Sequence, residues 1–146
     1  MHAHFQIAGN VHTVTFVVYN RLRLFVRPAY VLPLFDSLNF YRYQHAFRLL
    51  GYVVMPDHVH LALWLFGDAT IGAVMRDFKK FTAVRLIRQA TVEGNTALLD
   101  AFVAGGQQTG RCEHKVWQDG FWDTHVYTEA FLRGQLHYFH RNPVRA

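Results

Sequence analysis

The chain has 146 residues, a net charge of +5 and a pI near 9.7. Hydrophobic residues make up 51% and aromatics 16%, which excludes a disordered chain and points to one domain, 1–146, with its own core. Cys112 is the sole cysteine, so an internal disulfide is excluded, and no apolar run reaches the ~18 residues of a bilayer span. These features lead us to expect a soluble, cytoplasmic protein. Basic charge with many aromatic rings suits nucleic acid, where cations meet phosphates and rings stack on bases.

In chain order, residues 11–19 are β-branched and aromatic and predict a first strand, with Arg21 and Arg23 at its solvated end or against phosphate. Pro28 and Pro33 bracket a loop or a helix start. Leu34, Leu38, Tyr41 and His45 recur near the helical period and predict a helix over 34–49. Residues 47–54 predict a second strand and 58–65 a third, joined as a hairpin across Met55-Pro56-Asp57. Thr70 is an N-cap candidate for a helix over 71–89, whose apolar stripe is Ile71, Val74, Met75, Phe78 and Phe81. Its off-stripe residues Arg76, Lys79, Lys80, Arg85 and Arg88 face a single acid, Asp77, and suggest a phosphate-facing surface. A short helix is expected over 96–104, a mobile loop over 105–110, and a strand broken at Asp119-Gly120 over 115–127. Trp117, Phe121 and Trp122 are expected in the core, with base stacking the alternative for one of them. A last helix over 128–142 has Thr128 as cap and Phe131, Leu132, Leu136 and Phe139 as buried stripe, stopping before Pro143.

The chemistry gathers at two places. On the third strand His58 and His60 point the same way while Val59, Leu61 and Leu63 point into the core. Two imidazoles about 7 Å apart along one rigid strand can converge on a cation. With ten histidines in the chain the pattern is near chance, and His2-Ala-His4 is a second instance. On the last helix Tyr138 and Asn142 stand four residues apart on one face, a hydroxyl and an amide oxygen. His137 and His140 flank Tyr138 but project elsewhere.

Met55-Pro-Asp-His-Val-His60 followed by Tyr138-Phe-His-Arg-Asn-Pro-Val-Arg-Ala146 resembles the single-tyrosine HUH transposases, in particular the REP-associated tyrosine transposases. The segments 17–25, 78–81 and 116–123 extend the resemblance over most of the chain. It implies an α+β fold: a central antiparallel sheet with packed helices, related to the ferredoxin-like and RNA-recognition-motif architectures. It also implies that His58, His60 and Asn142 hold a divalent metal, Mg2+ or Mn2+, and that Tyr138 is the nucleophile. The substrate would be single-stranded DNA carrying hairpins or palindromic repeats, cleaved and rejoined through a 5′-phosphotyrosine. Arg76, Lys79, Lys80, Arg85, Arg141 and Arg145 are the DNA-contact candidates. A homodimer, and use of Tyr138 within its own or a partner's site, stay open. Members of the family usually continue past this segment, so a sequence ending at Ala146 is expected to lack DNA contacts made by such a tail. Two other readings remain: a non-enzymatic single-strand binder, and an HUH nickase of the replication-initiator or relaxase type.

Overall fold

The computed structural model describes residues 6–44 and 47–141. His2, His4, His45, Asn142, Pro143 and Arg145 lie outside the described residues, and with them the expected metal-ligating amide and the end of the last helix.

Four strands, β1 (Gln6–Val17), β2 (Phe47–Val54), β3 (His58–Leu65) and β4 (Trp122–Thr128), form one antiparallel sheet in the order β2-β3-β1-β4. Four helices accompany them: α1 (Pro28–Gln44), α2 (Ile71–Glu93), α3 (Thr96–Thr109) and α4 (Glu129–Arg141). This is the α+β, ferredoxin-like arrangement that the resemblance implied. β2 and β3 have the bounds read from the sequence, because the Pro56-Asp57 break separates two apolar runs and period-two alternation marks the second.

Strand alternation divides the sheet into two faces. Val14, Phe16, Val59, Leu61 and Leu63 point to one side and join Leu34, Leu38, Val74, Met75, Phe78 and Phe102 in the main core under α1, α2 and α3. Phe16 meets Phe78 and Trp117 edge to face at 5.6 and 4.9 Å between centroids. Trp117 is thus a core aromatic as expected, its Nε1–H bonded to the buried Thr82 hydroxyl at 2.9 Å. On the other side Val53, Ala62 and Phe139 form a small second cluster, flanked by Leu50, Met55, Leu132 and Leu136. α4 alone supplies the helical half of it.

Three expectations are corrected. α1 starts at Pro28 instead of 34: Pro28 occupies the first helical position, where its missing N–H costs nothing, and buried Pro33 lies inside the helix. The helix ends at Gln44, leaving Phe47 to β2. The stretch 105–110 is not a loop, since α3 runs to Thr109 and closes on Gly110 with φ +67°. Gly105 and Gly106 are buried, and a Cβ at Gly106 would stand 2.5 Å from the Cys112 and Glu113 carbonyl oxygens. These glycines permit close backbone packing rather than motion. Finally, β4 begins at Trp122, and this residue is 62% exposed rather than buried.

β4 is an edge strand whose only buried residue is Val126. It is fastened to β1 on the main-core side by His12, a buried residue bonded through Nδ1 to Asp123 at 2.7 Å and through Nε2 to His125 at 2.9 Å. This matters because β4 leads directly into α4. Thr128 caps that helix as expected, its Oγ1 accepting from Phe131 N–H at 3.2 Å.

Candidate nucleic-acid cleavage site

The Met55–Asp57 turn fixes the start of β3 from several directions. Val18 N–H donates to the Asp57 carbonyl at 2.9 Å and Phe25 N–H to the Pro56 carbonyl at 2.9 Å. Across the hairpin, Met55 N–H donates to the His58 carbonyl at 2.8 Å. The two imidazoles that follow share one face, with ring centroids 4.9 Å apart and planes at 89°.

Each histidine is held from behind. His58 Nδ1 bonds Asp57 Oδ1 at 2.6 Å, and His60 Nδ1 bonds Thr15 Oγ1 at 2.8 Å. The Asp57 carboxylate can only accept, so His58 Nδ1 carries a proton. The Thr15 hydroxyl can accept from or donate to His60 Nδ1, and the tautomer with Nδ1–H leaves His60 Nε2 for a ligand, as in metal-binding histidines. Asp57 is itself steadied by Arg21 at 3.3 Å. Burial alone would raise the Asp57 carboxyl, but hydrogen bonds and charge from His58 and Arg21 outweigh it and hold it below the usual range. Burial, helped by the neighbouring His58, pushes His60 down to about 4, so it is neutral at pH 7 and free to donate a lone pair.

α4 brings Tyr138 onto this same face, its ring centroid 6.2 Å from that of His60, and the side chain is 53% exposed. Phe139, one residue on, is buried and stacks on His60 at 5.5 Å, fixing the angle at which the helix crosses the sheet. Gly51 on β2 is part of the same fit. A Cβ there would lie 2.5 Å from Leu136 Cδ2, so glycine leaves room for the end of that α4 side chain. His137 and His140 are exposed, in keeping with a surface role.

Three of the expected residues, His58, His60 and Tyr138, therefore converge. Among the described residues no group of three His, Cys, Asp or Glu could hold a metal. The donors that do converge, two imidazoles each held through Nδ1, fit a divalent cation as two of its ligands.

The α2 cations are not brought to this place. α2 packs on the main-core face, so Arg76, Lys79, Lys80 and Arg85 lie across the sheet from the histidines. Lys79 is also committed, bonding the Gln118 and Gly120 carbonyls at 2.8 Å each, and burial lowers its ammonium from the ordinary lysine value. Arg76 approaches Asp77 at 3.2 Å, and Arg85 approaches Asp36 at 3.7 Å while covering the Phe81 ring at 4.9 Å. Arg141 is the last described residue of α4 and is exposed.

Asp57 and Thr15, the two orienting partners, did not emerge from the sequence. Asp57 could have been suspected from its place beside His58. Thr15 becomes relevant only through the β1–β3 register, which sets it opposite His60.

No family model matches the sequence and no curated protein matches it. Solved structures do. A REP-associated tyrosine transposase, solved bound to a REP hairpin, is similar over 99% of this chain and 73% of its own, with 20% identity and a TM-score of 0.66. A candidate transposase from Deinococcus radiodurans R1 is similar over 97% of this chain and 96% of its own, with 19% identity and a TM-score of 0.58. At such identities the shared property is the fold, and the chain has the fold of these transposases.

Proposed function

We propose that this protein is a DNA strand-transfer enzyme that cleaves and rejoins hairpin-bearing single-stranded DNA through Tyr138. The reading is carried by one observation: a tyrosine from the last helix stands beside a pair of oriented, metal-competent histidines from the middle of the chain. The fold shared with a transposase that was solved on a REP hairpin supports the substrate class.

In the cleavage step the Tyr138 phenolic oxygen bonds to a backbone phosphorus while the bond from that phosphorus to the 3′-oxygen breaks. Net, the phenolic proton ends on the released 3′-hydroxyl. The phosphotyrosine conserves the bond energy, and attack by another 3′-hydroxyl reverses the step at a new junction. A free phenol, with a pKa of about 10, is a weak nucleophile at neutral pH and needs assistance at the phosphate. His58 and His60, with Asn142, would hold Mg2+ or Mn2+, which when bound neutralises phosphate charge and stabilises the leaving oxygen. Asp57 and Thr15 keep the imidazole tautomers fit for that task. The nearness of Tyr138 to His60 of its own chain supports action within one subunit. Arg141 and Arg145 would meet phosphates beside the site. Arg76, Lys79, Lys80 and Arg85 are assigned to DNA further from the cleaved bond, since they are on the opposite face of the sheet.

The test is incubation of the protein with a library of hairpin-bearing single strands and Mg2+ or Mn2+. A denaturation-resistant protein–DNA adduct is expected, and it should vanish with Tyr138→Phe and with chelator. Binding without any adduct across the library would leave a non-enzymatic single-strand binder in its place.

A further inference from the structure

β4 carries a large aromatic side chain into solvent for which the fold offers no use. Trp122 is 62% exposed, and among the described residues its indole meets no other ring and makes no hydrogen bond. The register shows where it points. Trp122 pairs directly with Thr15 on β1, and Thr15 pairs directly with His60 on β3. Paired residues of adjacent strands project to the same face, so Trp122, Thr15 and His60 form one row across three strands. The Thr15–His60 side-chain bond fixes that face as the one bearing Tyr138. Two strand spacings put the indole's strand about 10 Å from the His60 strand. The strip between is small and polar, built by Thr15 and, along β4, by the exposed Thr124.

Arg141 is the described cation of α4 assigned to phosphate on this face, and phosphate contacts hold a strand without choosing among its nucleotides. The α2 cations lie behind the sheet, and Arg21 is turned to Asp57. An exposed ring beside a phosphate site supplies another source of single-strand affinity, stacking on a base. We propose that Trp122 is the stacking platform for the unpaired base next to the phosphate that Tyr138 attacks, and so sets where along a single strand the protein acts. This rests on the function proposed above and adds to it a residue that grips the nucleotide.

The experiment uses the full chain carrying Tyr138→Phe, so that binding is read without cleavage, and hairpin-bearing single strands with an abasic spacer scanned along the unpaired segment. Trp122→Ala is expected to bind the intact strand about tenfold more weakly, and Trp122→Tyr to recover binding to within about twofold. One spacer position should weaken the Trp122 protein by the same factor and leave the Trp122→Ala protein unaffected. DNA should also quench a part of the tryptophan emission that is missing from Trp122→Ala, where Trp64 and Trp117 remain. Unchanged thermal melting of both variants separates this from a structural effect. Equal binding by Trp122→Ala, failure of Trp122→Tyr to recover it, or spacer and substitution losses that multiply would overturn the assignment. The adduct assay with intact Tyr138 is scored separately. A Trp122 effect without any adduct keeps the platform and removes the cleavage chemistry, whereas an adduct with no Trp122 effect does the reverse.

Discussion

The two faces of the sheet are packed to different depths. Under α1, α2 and α3 lies a core of over twenty buried residues, including Tyr30, Phe16, Phe78 and Phe102 with almost no exposed surface. Under α4 the apolar cluster is smaller, Val53, Ala62 and Phe139, with Val11, Val17 and Val126 buried beside it on the same face, and the rest of β4 is exposed. Apolar burial is what holds secondary structure in place, so the first face carries most of the stability and the second carries little. Yet the second face holds the histidines and Tyr138. A thinly packed helix over a well-paired strand gives a site whose floor is fixed and whose tyrosine can be moved at small cost.

The contrast can be broken most severely at the large core. Phe16→Ala should cost about 3–5 kcal/mol and lower the midpoint of a single cooperative denaturant transition, because it empties the contact between β1, α2 and Trp117. Phe139→Ala, equally buried, should cost less in global unfolding, about 1–3 kcal/mol, since its surroundings are thin enough to collapse. Its larger signature should be local: faster hydrogen exchange confined to α4, and a loss of at least tenfold in adduct formation as Tyr138 drifts from His60. Equal global losses for the two phenylalanines would show that the faces do not differ in the way described.

A third test uses pH in the presence of chelator. His60 sits at about 4 in the folded chain against 6.5 for an ordinary histidine. Between these values the unfolded chain binds the extra proton, so stability is complete above about 6.5 and falls as the pH drops toward 4. The loss should reach about 3 kcal/mol at most, and it should shrink in His60→Gln. A stability profile unaltered by that substitution would remove the case for a buried, neutral His60. The smallest effect is expected at Gly51→Ala, about 1 kcal/mol by thermal melting, because the intruding methyl meets the mobile end of Leu136. Adduct formation should fall little, since Leu136 can turn its end aside without moving the helix that carries Tyr138.

How far the sequence reached differs by element. The hairpin of β2 and β3 was legible to the residue, since alternation and a Pro-Asp break are local signals. The glycines of α3 were misread for the same reason: local composition says loop, while only the approach of residues 112 and 113 shows why side chains are absent there. Trp122 was assigned inward from its chemistry, and the register turned it outward.

By itself the sequence determined the β2–β3 hairpin, the caps at Thr70 and Thr128, and the alternation that aims His58 and His60 the same way, because each depends on neighbours a few positions off. Only the tertiary structure decided which face α4 covers, that Thr15 stands behind His60, and that the α2 cations lie across the sheet from the site. Those outcomes depend on strand register and on the order β2-β3-β1-β4, which join residues far apart in the chain through pairings that no local pattern encodes.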